Sequence, residues 1–160
     1  MTSDPTPILA PLIPTPGALV VEDDESISHL LVFMLERAGF KVHLSRDGRE
    51  ARKYIEESPP PAIAILDVSL PYVDGFGLIR IIRDRSSWAL TPIMMLTAQA
   101  QRQDVSKALR VGANDYLLKP FHPAELLSRV EKLCARKTVP DQQIEGVSAP
   151  PEAGLHAAAT

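Results

Sequence analysis

At 160 residues, 45% apolar and 5% aromatic, the chain has the makeup of one globular domain and is too short for two ordinary ones. Its net charge is −3, from 17 Lys and Arg against 20 Asp and Glu, and it has one cysteine, Cys134. That composition excludes an internal disulfide and a cysteine-rich zinc site, and it fits a reducing, cytoplasmic setting. No apolar run approaches the ~18 residues of a membrane span, and the N-terminus lacks the charged start and continuous apolar stretch of a secretory signal.

Residues 1–16 hold five of the 15 prolines and read as a Pro-rich leader. Residues 138–160 have three prolines, three acids and an Ala-rich end, and read as a disordered tail. All 17 basic residues fall in the core of residues 17–137, against 16 of the acids, a balance of +1. No basic stripe marks that core as a nucleic-acid surface, so direct binding of nucleic acid by this chain is not expected.

Within the core, short runs rich in Val, Ile and Leu at 18–21, 41–44, 62–66, 93–96 and 116–118 predict buried strands. A helical stripe of Ile27, Leu30, Leu31, Met34 and Leu35, stopped by Gly39, follows the first. Further amphipathic helices are predicted at 49–57, 76–85, 102–111 and 123–136. Alternation of this kind predicts a doubly wound α/β domain, (βα)5, with a five-stranded parallel sheet and right-handed crossovers.

In such a sheet the carboxyl ends of the strands share one edge, where ligands bind. Glu22, Asp23, Asp24 and Glu25 follow the first strand, Asp67 the third, Thr97 the fourth, and Lys119 and Pro120 the fifth. Each has a plainer explanation: a helix cap or dipole partner for Asp24 and Glu25, a turn residue for Asp67, a loop hydroxyl for Thr97, a solvated amine for Lys119. Their joint placement is harder to obtain from turn propensity alone. Carboxylates brought together there would repel unless a cation compensated. Mg²⁺ suits such a site, since it takes one or two carboxylates, keeps several waters and completes its shell with phosphate oxygens. A phosphoryl group would need further donors, which Thr97 and Lys119 could supply. In a 2-1-3-4-5 sheet Lys119 lies two strands from Asp67, roughly 10 Å at ~4.8 Å per strand, a span for a long flexible amine.

Four strings carry a resemblance: ALVVEDDESI at 18–27, AILDVSLPYVDGFGL at 64–78, PIMMLTA at 92–98 and GANDYLLKPFHPAELL at 112–127. Over about residues 17–136 the chain resembles the receiver domain of two-component response regulators. The resemblance implies a flavodoxin-like fold with strand order 2-1-3-4-5. It implies Asp67 as phosphoacceptor, with Mg²⁺ held by Glu22, Asp23, Asp67 and the backbone carbonyl of Ser69. Thr97 and Lys119 would bind phosphoryl oxygens, and a cis Lys119–Pro120 bond would aim the amine.

On this likeness, a phosphohistidine of a histidine kinase or phosphotransfer protein donates the phosphoryl group to Asp67. Thr97 then moves inward, Tyr116 turns into the vacated space, and the face formed by helix 4, strand 5 and helix 5, roughly residues 101–136, switches for an output protein. Tyr116 read without the resemblance is equally a strand aromatic packed under a helix. Ser69 and Gln99 would tune phosphoryl lifetime. Asp115, Glu125 and Arg129 sit where receivers of DNA-binding regulators place dimer charges, although Glu125 and Arg129 also form a plain i, i+4 pair. The expected protein is a signalling receiver rather than an enzyme, monomeric or dimerising on phosphorylation. Its alternatives are a receiver fragment of a DNA-binding transcriptional regulator and a pseudo-receiver that is never phosphorylated. A phospho-aspartate hydrolase would usually carry a second Asp at position 69, where Ser69 stands, and a nucleotide binder of this fold would need a phosphate-cradling loop after the first strand. Asp74-Gly75 reads as a turn and helix start, Trp88 as a packing residue, and the four histidines show no ligand spacing.

Overall fold

The computed structural model of the protein describes residues 13–98 and 102–136. The tail at 138–160, most of the leader and Gln99 lie outside them. Ten elements alternate: β1 (Gly17–Val21), α1 (Glu25–Arg37), β2 (Lys41–Ser45), α2 (Gly48–Glu57), β3 (Ile63–Asp67), α3 (Gly75–Asp84), β4 (Ile93–Thr97), α4 (Arg102–Val111), β5 (Asp115–Leu118) and α5 (Pro123–Arg136). The strands form one parallel sheet in the order β2-β1-β3-β4-β5. This is the flavodoxin-like α/β architecture the resemblance implies.

Side chains alternate across a strand, so each central strand feeds two cores. Leu19, Val21, Ala64, Leu66, Ile93 and Met95 point to one face and pack with residues of α2, α3 and α4. Ala18, Val20, Ile63, Ile65, Met94 and Leu96 point to the other, against α1 and α5. Every residue of β3 and β4 is buried, whereas edge strand β2 alternates between covered and exposed positions. Continuous apolar runs mark the centre because both faces are covered there.

Strand ends differ by about one residue from the apolar runs. Asp67 and Thr97 are the last residues of β3 and β4, in register with Leu96 and Leu118. Hydropathy locates the apolar stretch, but the ladder continues onto the polar residue at the sheet's edge. Asp24, Asp47 and Asp74 each cap a helix, accepting backbone N–H bonds from Ile27, from Arg49 and Glu50, and from Gly77. Trp88 is fully buried and donates Nε1–H to the Ser58 carbonyl.

Arg83 makes a connection that no sequence pattern announces. Its guanidinium donates to the carbonyls of Ala89, Thr91 and Gly112 and to Asn114 Oδ1, tying α3 to the approach to β4 and to the α4–β5 turn. Burial pulls its pKa down.

The His43 ring stacks on Tyr54 at 3.7 Å, and Tyr54 meets Trp88 edge-on at 6.1 Å. Partial burial lowers the His43 pKa, against an opposing pull from Glu50. The folded protein therefore holds fewer protons at this ring than the unfolded chain does. Its contribution to stability is complete above the ordinary histidine value and is lost as pH falls through the lowered one. Between about pH 7 and about pH 5, the urea midpoint of the wild type should fall further than that of His43→Phe, as followed by Trp88 fluorescence. Equal falls would remove His43 as the source.

Candidate functional site

The four acids after β1 separate into two jobs. Asp24 caps α1, its Oδ1 accepting from Ile27 N–H at 2.8 Å, and Glu25 lies in the first turn, where a carboxylate favours the helix dipole. Glu22 and Asp23 face Asp67 instead. One carboxylate oxygen from each of Glu22, Asp23 and Asp67 lies within 4.8 Å of the other two. Glu22 and Asp67 are buried, and Asp23 stands exposed.

Glu22 is held from three sides. Its N–H donates to the Ser45 carbonyl at 3.1 Å, its Oε1 accepts from Asp24 N–H at 3.1 Å, and its Oε2 accepts from Lys119 Nζ at 2.6 Å. Burial raises its pKa, with the neighbouring Asp67 charge acting in the same direction, while the bonds from Lys119 and Asp24 oppose the rise. Lys119 Nζ also lies 3.3 Å from Asp67 Oδ2. Burial alone would lower the lysine's pKa, but the bond to Glu22 and the charges of Asp67 and Glu22 outweigh it and the net shift is upward. The amine is thus fixed as a cation between two carboxylates. Its bond to Glu22, which follows β1 one strand beyond Asp67, reaches farther across the sheet than the sequence predicts.

The loop after β3 is set by close backbone packing. Asp67 Oδ1 accepts from Ser69 N–H at 3.3 Å, and Gly75 N–H donates to the Val68 carbonyl at 3.0 Å. A Cβ at Gly75 would collide with the Asp67 carbonyl, so only glycine lets α3 start so near the carboxylate. Thr97 is buried at the end of β4, and its carbonyl accepts from Lys119 N–H at 2.7 Å. The Lys119–Pro120 bond is cis. Tyr116 is half-buried in β5, opposite Met95 and packed against the core on the α2–α3–α4 side. Ser69 is exposed.

The structure therefore brings together Glu22, Asp23, Asp67 and Lys119, with Ser69 beside Asp67 and Thr97 on the adjoining strand. Tyr116 lies on the next strand, in the layer beneath. Arg129 binds Asp115 at 2.8 Å and Glu125 at 2.9 Å, all within one chain. Arg49, whose guanidinium lies 3.5 Å over the Tyr72 ring, was missed; the pair is far apart in sequence and no spacing rule signals it.

The donor set fits a hard divalent ion: all-oxygen, doubly or triply anionic and open on the Asp23 side. Without that ion, Lys119 is the compensating charge. Lys119→Met should therefore destabilise the protein by about 2–3 kcal/mol in EDTA, limited because Glu22 can take up a proton. Saturating Mg²⁺ should recover most of that loss in a thermal melt. A loss unaffected by Mg²⁺ would mean the amine acts through packing alone.

Comparison with known proteins agrees with this geometry. Residues 18–131 match the response regulator receiver domain. The transcriptional regulatory protein GltR of Pseudomonas aeruginosa is 46% identical over 118 residues, 74% of this chain and 48% of its own. The alkaline phosphatase synthesis transcriptional regulatory protein PhoP of Bacillus subtilis is 41% identical over 121 residues, 76% of this chain and 49% of its own. The chain thus spans about half the length of these relatives. Among solved structures, a putative response regulator from Chloroflexus aurantiacus superposes with a TM-score of 0.72 at 37% identity, covering 77% of this chain and 100% of that one. The receiver domain of a sensor histidine kinase from Pseudomonas aeruginosa, solved with a magnesium ion coordinated in its active-site cleft, gives 0.70 at 33% identity, covering 76% and 99%. No helix among the described residues is long and apolar enough to cross a membrane. The chain belongs to the response regulator receiver domain family and, with it, to two-component phosphorelay signalling.

Proposed function

We propose that the chain accepts a phosphoryl group on Asp67 from the phosphohistidine of a histidine kinase or phosphotransfer protein and passes the signal through a conformational change. The observation that carries this reading is the clustering of the Glu22, Asp23 and Asp67 oxygens within 4.8 Å, with Lys119 Nζ 3.3 Å from Asp67. Glu22, Asp23, Asp67 and the Ser69 carbonyl would hold Mg²⁺, whose charge offsets the repulsion between carboxylate and phosphate.

The protein's own residues do the rest. An Asp67 carboxylate oxygen attacks phosphorus, the bond from phosphorus to the donor imidazole nitrogen breaks, and the imidazole leaves with the bonding pair. Lys119, already a cation at Asp67, pairs with a phosphoryl oxygen, and the Thr97 hydroxyl donates to another. Thr97 drawn toward the acyl phosphate opens space beside β4, and Tyr116, in register with Met95, turns toward it. The affected face is α4, β5 and α5, which meets an output protein. Asp115, Glu125 and Arg129 pair within one chain, so a dimer built on those charges would require these pairs to be exchanged; the chain acts as a monomer or dimerises on phosphorylation. The chain consumes one phosphoryl group per event and assists its loss, with Ser69 and Gln99 beside the path of the attacking water. It acts as a receiver rather than as an enzyme with an external product.

One observation favours a second placement of the same activity. The relatives named transcriptional regulatory proteins are about twice as long as the stretch they share with this chain, which would make it the receiver portion of a DNA-binding regulator. Direct nucleic-acid contact would then belong to another portion, in keeping with the nearly neutral charge of residues 17–137.

Incubation with acetyl phosphate and Mg²⁺ should add one phosphoryl group by intact mass, and Asp67→Ala should abolish the adduct. No adduct on the wild type, even with a panel of kinases, would leave a phosphorylation-independent binding module. Lys119→Ala should still be labelled, yet lose the phosphorylation-dependent shifts of α4, β5 and α5 amide resonances. Unaltered shifts would remove the lysine from the switch.

A further inference from the structure

The loop between β3 and α3 carries a strained turn with a specific brace. Tyr72 has φ 68°, a backbone conformation that L side chains rarely adopt. Around it, Val73 N–H donates to the Pro71 carbonyl at 2.9 Å. An i to i+2 bond about a residue with positive φ is the pattern of the rare, strained form of γ-turn. Strain of this kind persists only where the surroundings over-determine it.

The surroundings here are the start of α2. The Pro71 carbonyl also accepts from Gly48 N–H at 3.2 Å. Gly48 is buried, and a Cβ there would collide with the Val73 carbonyl, so the helix start and the loop are in direct backbone contact. Next along the helix, the Arg49 guanidinium lies 3.5 Å over the Tyr72 ring. Arg49 N–H is itself fixed by the Asp47 cap at 2.8 Å. The tyrosine is 70% exposed, so neither core packing nor any buried contact of its hydroxyl accounts for the ring's place. The arginine does.

Ser69 lies two residues before Pro71 on this short loop, whose other end is closed by Gly75 N–H on the Val68 carbonyl. From this arrangement we infer that Arg49 is a positioning residue for the divalent-ion site: by stacking on Tyr72 it holds the 68–74 loop in the conformation that presents the Ser69 carbonyl beside Asp67. The inference rests on the proposed role of that carbonyl as a magnesium ligand. A braced loop binds the ion with little further ordering, whereas a released loop must be ordered on binding and the affinity drops accordingly.

The test is calorimetric titration of Mg²⁺ into the full chain, with thermal melts in EDTA alongside. Arg49→Ala and Tyr72→Gly should each weaken Mg²⁺ binding about two- to fivefold, the range of an exposed cation–π contact. Tyr72→Gly is the informative member, because glycine relieves the backbone strain and yet removes the ring. Tyr72→Phe keeps the ring face and should bind like the wild type. A purely structural brace would shift melting temperatures and leave the affinities equal. Equal affinities in wild type, Arg49→Ala and Tyr72→Gly, or equal weakening by Tyr72→Phe and Tyr72→Gly, would overturn the inference while the phosphoacceptor reading stands. A wild type that binds no Mg²⁺ would overturn both.

Discussion

Carboxylate oxygens of Glu22, Asp23 and Asp67 lie within 4.8 Å of one another, a separation at which like charges repel unless a cation stands among them. Two of the three groups are buried, where water screens them least. Lys119 answers this with bonds of 2.6 Å to Glu22 and 3.3 Å to Asp67, but a single ammonium does not neutralise three acids. The residual negative charge suits the edge of the sheet to a divalent ion, and in the proposed function such an ion would offset the repulsion between carboxylate and phosphate. Much of the remaining structure fixes where these four side chains stand.

That fixing is done by backbone. Parallel strands with helices on both faces send every strand's carboxyl end to one edge. Glu22 is held by its own N–H on Ser45 and by the Asp24 N–H, and Asp67 by the tight approach of Gly75 to its carbonyl. Lys119 N–H on the Thr97 carbonyl joins the last two strands where the lysine turns back toward Glu22. The phosphate ligands proposed here thus sit on strand ends and adjoining turns, while the strained turn at Tyr72 lies a few residues away, where a change of loop shape leaves the sheet intact.

The sheet and its helices could be read from the chain because burial on two faces produces unbroken apolar runs, and amphipathic helices produce stripes. The site could be read because four chemically complementary groups end four strands, and because the strings around them resemble a known family. The assignment of Asp24 as a cap rather than a ligand also followed from position, and its bond to Ile27 N–H bears it out. Other features have no linear signature. Lys119 reaching Glu22 depends on how far a flexible amine extends across two strands; Arg83 serves four carbonyl or amide acceptors through a guanidinium that looks like any surface charge in sequence. Arg49 and Tyr72 meet only because a strained turn lifts the ring toward another helix. Strand ends at Asp67 and Thr97 were placed one residue early for a related reason, since polar residues in a ladder do not register as strand.

The central claim is that one cation is shared by these oxygens, and crystals grown with Mn²⁺ in place of Mg²⁺ test it most directly through the anomalous signal of the metal. A single strong peak within coordination distance of Glu22 or Asp23, of Asp67 and of the Ser69 carbonyl is the predicted result. A saturating Mn²⁺ soak that leaves that space without a peak, or puts the ion against only one of the carboxylates, would contradict the account.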